Sequence, residues 1–189
     1  MYPNSLWNIL FRKLISVGCV LVDVTGVVCG RRYLYWSNWM NRPRVERSTL
    51  DGEGRTTFLD DVGRVSGLVI DFDASRLYWA NLDQHNIESV DLVTGRDRHV
   101  VVSGLVRPYG VTQFRDFIYW TDQGTKTIER AHKSTGQNRT RIKYTDADVM
   151  DISVIHNSRQ IGTWSVSFCV YSFTHQQDYV CVCVSKRVL

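Results

Sequence analysis

The chain has 189 residues, of which 43% are hydrophobic and 22% are charged, and its formal net charge is +4. This length leaves room for one domain with a small appendage, and the composition is that of a globular protein rather than a disordered one. Lys and Arg residues are scattered without a run, so no nucleic-acid or lipid-headgroup surface is predicted.

The first 21 residues are predicted to be irregular. Two cations, Arg12 and Lys13, precede an apolar stretch from Leu14 to Val22 that Asp23 interrupts. The stretch is too short to span a bilayer as a helix. It could be the hydrophobic region of a signal peptide, but the cleavage site is unconvincing, so an irregular approach to the first strand is favoured. No other segment could cross a membrane, and we expect no anchor in this chain.

From residue 22 the sequence repeats. A Tyr-Trp pair occurs in YLYWSN, RLYWAN and FIYWTD, and its tryptophans are separated by 43 and 41 residues. Other residues keep the same register in all three copies: a glycine before the pair (Gly26, Gly67, Gly110), and a glutamate, a glycine and an arginine after it (Glu46, Glu88, Glu129; Gly52, Gly95, Gly136; Arg55, Arg98, Arg139). Self-similarity at such a period indicates stacked supersecondary units.

Each copy contains four short runs rich in Val, Ile, Tyr and Trp. In the second copy these are GLVID, RLYWAN, IESVDL and RHVVVS, separated by turn residues. The runs have strand length, and none shows a helical period. We therefore predict an all-β fold, a partial six-bladed β-propeller with about three four-stranded blades at 22–61, 62–105 and 106–149. Residues 151–156 are predicted to be the first strand of a further blade, which extends the propeller region to 160.

The aromatic pairs are predicted to pack between blades. They lie on a strand well inside each blade, where large rings fill the space between neighbouring sheets. This interpretation covers Tyr35, Trp36, Tyr78, Trp79, Tyr119 and Trp120. The repeated Glu and Arg residues are also predicted to be structural, because a scaffold residue recurs in every blade whereas a catalytic residue need not.

These motifs resemble the YWTD repeats, or class B repeats, of the low-density lipoprotein receptor family. IYWTD, IER and GLVID carry the resemblance, which extends over about residues 22 to 160 and is closest to the receptor-related proteins that serve as Wnt co-receptors. In that family six blades close into a ring and an EGF-like module follows. The resemblance implies an extracellular or cell-surface location and a rim that binds protein or peptide ligands, including Wnt ligands and secreted inhibitors.

Residues 161–189 resemble an incomplete EGF-like module. Cys169, Cys181 and Cys183 match its third to fifth cysteines, but the other cysteines of the module are absent, so the family's disulfide pattern cannot form. With Cys19 and Cys29 the chain has five cysteines, and at least one lacks a partner within it. The Cys181–Cys183 spacing is unsuitable for zinc, and no metal or cofactor is predicted.

The repeats also depart from the family pattern. Only the third copy ends in Thr121-Asp122, whereas the others end in Ser37-Asn38 and Ala80-Asn81. Asp122 is assigned to the structural repeat with the aromatic pairs. We expect the fold to survive these changes, with less negative charge on the ligand-binding face.

In an antiparallel blade, the segment that enters strand one and the loop between strands two and three share one rim, where propellers place functional residues. Five rim residues are candidates for ligand binding: Trp39, Arg64, Asp83, Tyr109 and Gln123. Aromatic and Arg side chains are favoured interface anchors. Arg64 stands where the family usually has a tryptophan, which weakens the expectation of peptide recognition by that blade.

No catalytic motif is present, so no enzymatic activity is predicted. Asn138-Arg139-Thr140 is a glycosylation sequon in a predicted turn, with Asn138 as the acceptor. Three hypotheses for the whole chain follow: an extracellular receptor fragment that binds protein ligands, a truncated non-functional product, or a half-propeller that pairs with a second copy. A propeller hydrolase is a further alternative, but no acidic residues are reserved for a central channel.

Overall fold

The computed structural model describes residues 27–30, 32–145, 149, 151–155, 171–175 and 178–183, and every regular element within them is a β-strand. The predicted all-β class is confirmed. Three sheets have four antiparallel strands each, in chain order. The first contains β1 (Val27–Cys29), β2 (Tyr33–Asn38), β3 (Arg44–Thr49) and β4 (Thr56–Leu59). The second contains β5 (Val65–Asp71), β6 (Arg76–Asn81), β7 (Asn86–Asp91) and β8 (His99–Val102). The third contains β9 (Pro108–Phe114), β10 (Phe117–Asp122), β11 (Thr127–His132) and β12 (Thr140–Tyr144).

A fourth sheet is made from two distant parts of the chain. Strand β13 (Ser153–Ile155) pairs with β15 (Asp178–Cys183), which in turn pairs with β14 (Tyr171–His175). The tail was expected to be irregular, and it instead supplies two strands that extend β13. Residues 1–26 and 156–170, which include Cys169, lie outside the described part of the chain, so the predictions for them stay predictions.

The first strands of successive sheets lie side by side, and the remaining strands of each sheet extend away from them. Glycines permit this close approach. A Cβ atom on Gly67 would lie 2.7 Å from the carbonyl oxygen of Tyr109, and one on Gly110 would lie 2.9 Å from the Cα of Asp151. Both distances are shorter than real Cβ contacts, so these repeat positions accept only glycine without a backbone shift.

The Tyr-Trp pairs of the second and third sheets connect each of these sheets to its neighbours on both sides. Successive strand residues point to opposite faces, so the two adjacent rings enter different interfaces. Tyr35 and Trp79 share the core cluster between the first and second sheets, and Tyr78 and Trp120 share the cluster between the second and third. Tyr119 packs on the far side of the third sheet with Ile152. Burial between the sheets raises the pKa of Tyr78 to about 12.

A buried glutamate, an arginine and the tryptophan recur together in every sheet. Glu46, Glu88 and Glu129 face Trp36, Trp79 and Trp120 across the β2–β3, β6–β7 and β10–β11 pairs, and each glutamate is no more than 4% exposed. The partner arginines bind them at 2.7, 2.6 and 2.6 Å and lie 5.6, 5.4 and 5.6 Å from the indole rings. A buried carboxylate is tolerated because it is fully paired, and each cation also gains from the ring face.

The same arginines also bind the preceding sheet. The Nη1 atom of Arg98 donates to the carbonyl oxygen of Asp61 at 3.0 Å, and the Nη1 atom of Arg139 donates to the carbonyl oxygen of Ser103 at 3.3 Å. Both carbonyls belong to the segments that join one sheet to the next. The repeated arginine therefore pairs within its own blade and with the backbone between blades.

We expect the ionisation of Glu46 to make the free energy of unfolding of the chain depend on pH in the acidic range. Burial alone raises its pKa, but hydrogen bonds from Arg44, Arg55 and Asn38 outweigh burial and bring the pKa below the ordinary value of 4.5. A lowered pKa contributes stability that is present above pH 4.5 and is lost as the pH falls through the folded-state value. Chemical denaturation at pH 7 and at lower pH should show this loss in the wild type.

The matched variant is Glu46→Gln, which cannot titrate. It should be less stable than the wild type at pH 7, because the ion pairs with Arg44 and Arg55 are lost. The difference in free energy of unfolding between the two proteins should become smaller as the pH falls below 4.5. An unchanged difference between the two proteins at low pH would contradict this assignment.

Candidate functional site

The candidate site is the rim on one side of the three sheets. We define the rim as the loops between second and third strands, residues 39–43, 82–85 and 123–126, together with the segments 60–64 and 103–107 that enter the next sheet. Backbone hydrogen bonds join four of these segments into one belt, and the Trp39 side chain connects the remaining loop, 39–43, to the start of β5. Leu82 donates to Arg64, Leu105 to His85, and Gln123 to Arg107, at 2.9, 3.0 and 2.9 Å.

Trp39 lies on the rim at the junction of the first and second sheets. Its indole Nε1 donates to the carbonyl oxygen of Val65, the first residue of β5, at 2.8 Å, and its side chain is half-buried. The residue thus joins two blades while leaving part of the ring exposed. Its neighbour Met40 is 54% exposed and adds apolar surface at the same place.

Arg64 and Asp83 form an exposed ion pair within the second blade. The guanidinium Nε lies 2.7 Å from one carboxylate oxygen, and the backbone N–H of Arg64 donates to the other at 2.8 Å. The slight burial of Asp83 raises its pKa, but the hydrogen bonds from Arg64 outweigh that effect and lower it. Two sequence-predicted candidates are therefore brought together, and each is the principal partner of the other.

The remaining two candidates differ in exposure. Tyr109, the second residue of β9, is half-buried, and its carbonyl oxygen accepts a hydrogen bond from Ser66 at 2.9 Å. Gln123 is only 9% exposed, and its amide donates to the carbonyl oxygen of Val149 at 3.3 Å. Of the five candidates, Gln123 has the least surface to offer a ligand.

Asp122, the last residue of the YWTD motif, organises the rim of the third blade. It is 1% exposed, and its two carboxylate oxygens accept four backbone N–H groups. Val106 and Arg107 donate from the entering segment at 2.8 and 3.0 Å, and Gly124 and Thr125 donate from the loop at 2.9 and 3.2 Å. A buried carboxylate that accepts so many donors holds both segments in one arrangement.

Asn81 occupies the equivalent position in the second blade with a different pattern of bonds. Its amide oxygen accepts from Asp83 and Gln84, as the Asp122 carboxylate does in its own loop. Its amide nitrogen instead donates to the carbonyl oxygen of Val62 at 2.8 Å and to Glu88 at 2.9 Å. Neither Asp122 nor Asn81 reaches the surface, and the expected reduction of negative charge on the face stays a prediction.

Sequence analysis did not single out three rim residues that the structure exposes next to one another. They are His85, Val106 and Arg107. The carbonyl oxygen of His85 accepts a hydrogen bond from the N–H of Leu105, and its ring Nδ1 is hydrogen-bonded to the carbonyl oxygen of Val106. The signal that could have identified them is an unusual residue choice: a valine beside an arginine in a turn segment that follows Gly104.

The sequon lies away from the rim. Asn138 is exposed in the β11–β12 connection, on the opposite side of the sheets, and the Thr140 hydroxyl donates to its carbonyl oxygen at 3.0 Å. Within the described ranges, no three His, Cys, Asp or Glu side chains are placed to hold a metal ion. In the same residues there is no helix of sufficient length and apolarity to traverse a bilayer.

The fold and rim define a segment of a YWTD β-propeller. A family model, low-density lipoprotein receptor repeat class B, matches residues 32–72, from the second strand of the first sheet through the first strand of the next. Residues 32–72 therefore match a class B repeat of the low-density lipoprotein receptor type, which confirms the resemblance drawn from the motifs.

Curated relatives agree with this assignment. Low-density lipoprotein receptor-related protein 5 is 45% identical over 134 residues in Mus musculus and 46% identical over 124 residues in Homo sapiens, which cover 71% and 66% of this chain. Low-density lipoprotein receptor-related protein 4 of Homo sapiens is 38% identical over 62% of the chain. The chain spans only 8%, 8% and 6% of the lengths of these three relatives.

Solved structures share the architecture. A chain of a nidogen/laminin complex matches with 28% identity and a TM-score of 0.59, over 66% of this chain and 48% of that one. A gluconolactonase from Xanthomonas campestris matches with 14% identity and a TM-score of 0.60, over 69% of this chain and 50% of that one. At that identity the second likeness concerns the fold alone.

We expect Asp122 and Asn81 not to be interchangeable, although both end the same motif. With the amide oxygen of Asp122→Asn kept at the Oδ1 position, its N–H₂ group would lie against the N–H of Val106. Asn81→Asp would place a carboxylate against the Val62 carbonyl and Glu88. Each leaves buried polar atoms unpaired, so each should lower the free energy of unfolding by about 1–3 kcal/mol. Urea denaturation measures both.

The informative half of this experiment is Asn81→Asp, because it restores the family's usual residue. If Asn81→Asp stabilises the chain, the local hydrogen-bond pattern does not govern the choice of residue at this position. Ser134→Ala, in an exposed turn on the opposite side, is a suitable control that should change stability little.

Proposed function

We propose that this chain is a ligand-binding segment of an extracellular receptor, and that its rim binds secreted protein or peptide ligands of the Wnt pathway. The observation that carries the proposal is the rigid belt of rim segments on a class B repeat scaffold, with Trp39, Met40, Tyr109 and Val106 presented on it. Aromatic and apolar side chains on a preorganised surface are favourable anchors for a protein partner.

The similarity to receptor-related proteins 5 and 4 supports a receptor role and an extracellular or cell-surface location. It concerns less than a tenth of the length of either relative. The identity of the ligand therefore belongs to the proposal. Two carboxylates beside the rim segments already have partners, since Asp122 accepts backbone N–H groups and Asp83 pairs with Arg64.

The test measures binding of a purified Wnt protein and of a purified secreted Wnt inhibitor to the immobilised chain by biolayer interferometry. Trp39→Ala should weaken the ligand that uses this rim by about tenfold or more, as expected of an aromatic anchor. Trp39→Phe, which keeps a ring but loses the bond to the Val65 carbonyl, should weaken it less.

The matched control is Phe72→Ala. Phe72 is 47% exposed in the β5–β6 turn on the side opposite the rim, so its removal should leave binding unchanged. Thermal unfolding of each variant separates lost affinity from lost fold. Equal effects of Trp39→Ala and Phe72→Ala on affinity, in folded proteins, would refute a rim site at Trp39.

A further inference from the structure

The junction between the second and third blades has a distinct surface within the rim. It is formed by loop 82–85, the entering segment 103–107 and loop 123–126, which are joined by the hydrogen bonds from Leu105 to His85 and from Gln123 to Arg107. Its exposed side chains include His85, Val106, Arg107 and Lys126. We call this surface the blade 2–3 junction.

Val106 presents an apolar side chain to solvent, and its backbone hydrogen bonds hold it in that position. It is 53% exposed. Its N–H donates to Asp122 at 2.8 Å, and its carbonyl oxygen accepts from Nδ1 of His85 at 2.8 Å. Because both backbone groups are bound and the side chain lies directly against Gly124, the residue cannot turn inward without breaking these bonds. It is a preformed apolar contact point.

The cations around Val106 have no acidic partner among the described residues. Arg107 and Lys126 are exposed, and neither forms an ion pair there. The nearby carboxylates are already used, since Asp122 is buried under four N–H groups and Asp83 binds Arg64. Because a carbonyl oxygen can only accept, the His85 Nδ1 carries a proton, which leaves its Nε2 as the ring atom free to meet a partner.

The junction between the first and second blades differs in charge. There Arg42 and Arg64 are accompanied by the exposed carboxylates Asp60 and Asp61, and Arg64 is paired with Asp83. That surface is mixed, whereas the exposed charges described at the blade 2–3 junction are positive apart from Asp83, which is paired with Arg64. Complementary potentials decide which partner a rim selects and how fast it associates.

We propose that the blade 2–3 junction binds an acidic segment of a protein partner that carries one apolar side chain. The apolar group lies on Val106, carboxylates pair with Arg107 and Lys126, and Nε2 of His85 supplies a polar contact at the edge. This inference rests on the proposed function, because it names the chemistry of a partner for the same rim.

The experiment uses the full chain and three fluorescein-labelled peptides in fluorescence anisotropy. The first has acidic residues on both sides of a central leucine. The second replaces each acid by its amide, and the third replaces the leucine by serine. The acidic leucine peptide should bind about tenfold more tightly than the amide peptide and several-fold more tightly than the serine peptide, and its advantage should shrink as salt is raised.

Two substitutions locate the binding, each with a matched control on the opposite side of the sheets. Arg107→Glu should weaken the acidic leucine peptide by about tenfold, whereas Arg96→Glu, the same charge change in the exposed β7–β8 connection, should change it less than about twofold. Val106→Ser should reduce the preference for leucine over serine, and Val93→Ser, at a residue 72% exposed in that connection, should not. The side chains altered are exposed, so the fold is expected to persist.

The inference is overturned if the acidic and amide peptides bind equally, or if Arg107→Glu and Arg96→Glu have the same effect. Binding of a single-stranded oligonucleotide at the same strength as the acidic leucine peptide would also overturn it, since a general polyanion site needs no apolar contact. The outcome is separable from the proposed function, because rim binding of Wnt-type ligands is read from Trp39→Ala in the other junction. Failure of the peptide experiment would leave the Trp39→Ala result standing, and failure of the Trp39→Ala experiment would leave the peptide result standing.

Discussion

The structure depends on a constraint set by strand geometry: two adjacent large aromatic residues on one strand must point to opposite faces. Neither face of the sheet can then be left in water. Each ring buries about 150–250 Å², which corresponds to roughly 4–6 kcal/mol of hydrophobic free energy before conformational entropy is subtracted. A sheet with Tyr78 on one face and Trp79 on the other therefore needs a neighbour on both sides, and stacking of successive sheets follows.

The polar part of each repeat makes this stacking specific. A buried glutamate in an apolar interface would be costly, and its arginine partner removes the cost while covering the indole. The same arginine reaches the carbonyl of the segment before its sheet, as Arg98 does at Asp61. Hydrophobic packing alone would permit two sheets to slide, whereas these directional bonds are satisfied in only one register. Glycines at the first strands then set how closely the sheets approach.

The rim inherits its rigidity from this scaffold and its variety from a few substitutions. Asp122 and Asn81 end the same motif and occupy the same place, yet one accepts from the entering segment and the other donates to it. The two junctions consequently hold their backbone segments with different hydrogen bonds, and separately the exposed residues around them differ in charge. The hydrogen bonds of the rim can thus change at a single position while the core stays unchanged.

The sequence by itself determined the fold class, the three four-stranded units and the resemblance to class B repeats, because period, strand length and aromatic position are all local or strictly repeated properties. It also placed Trp39, Arg64, Asp83 and Tyr109 near one rim, because antiparallel topology alone decides which loops share a side. Only the tertiary structure decided that Arg64 and Asp83 pair, that Gln123 is covered, and that β13 takes its partner from residues 178–183. It also decided that His85, Val106 and Arg107 meet. These outcomes depend on contacts between residues far apart in sequence and on which buried polar atoms remain to be satisfied, and no local pattern encodes either.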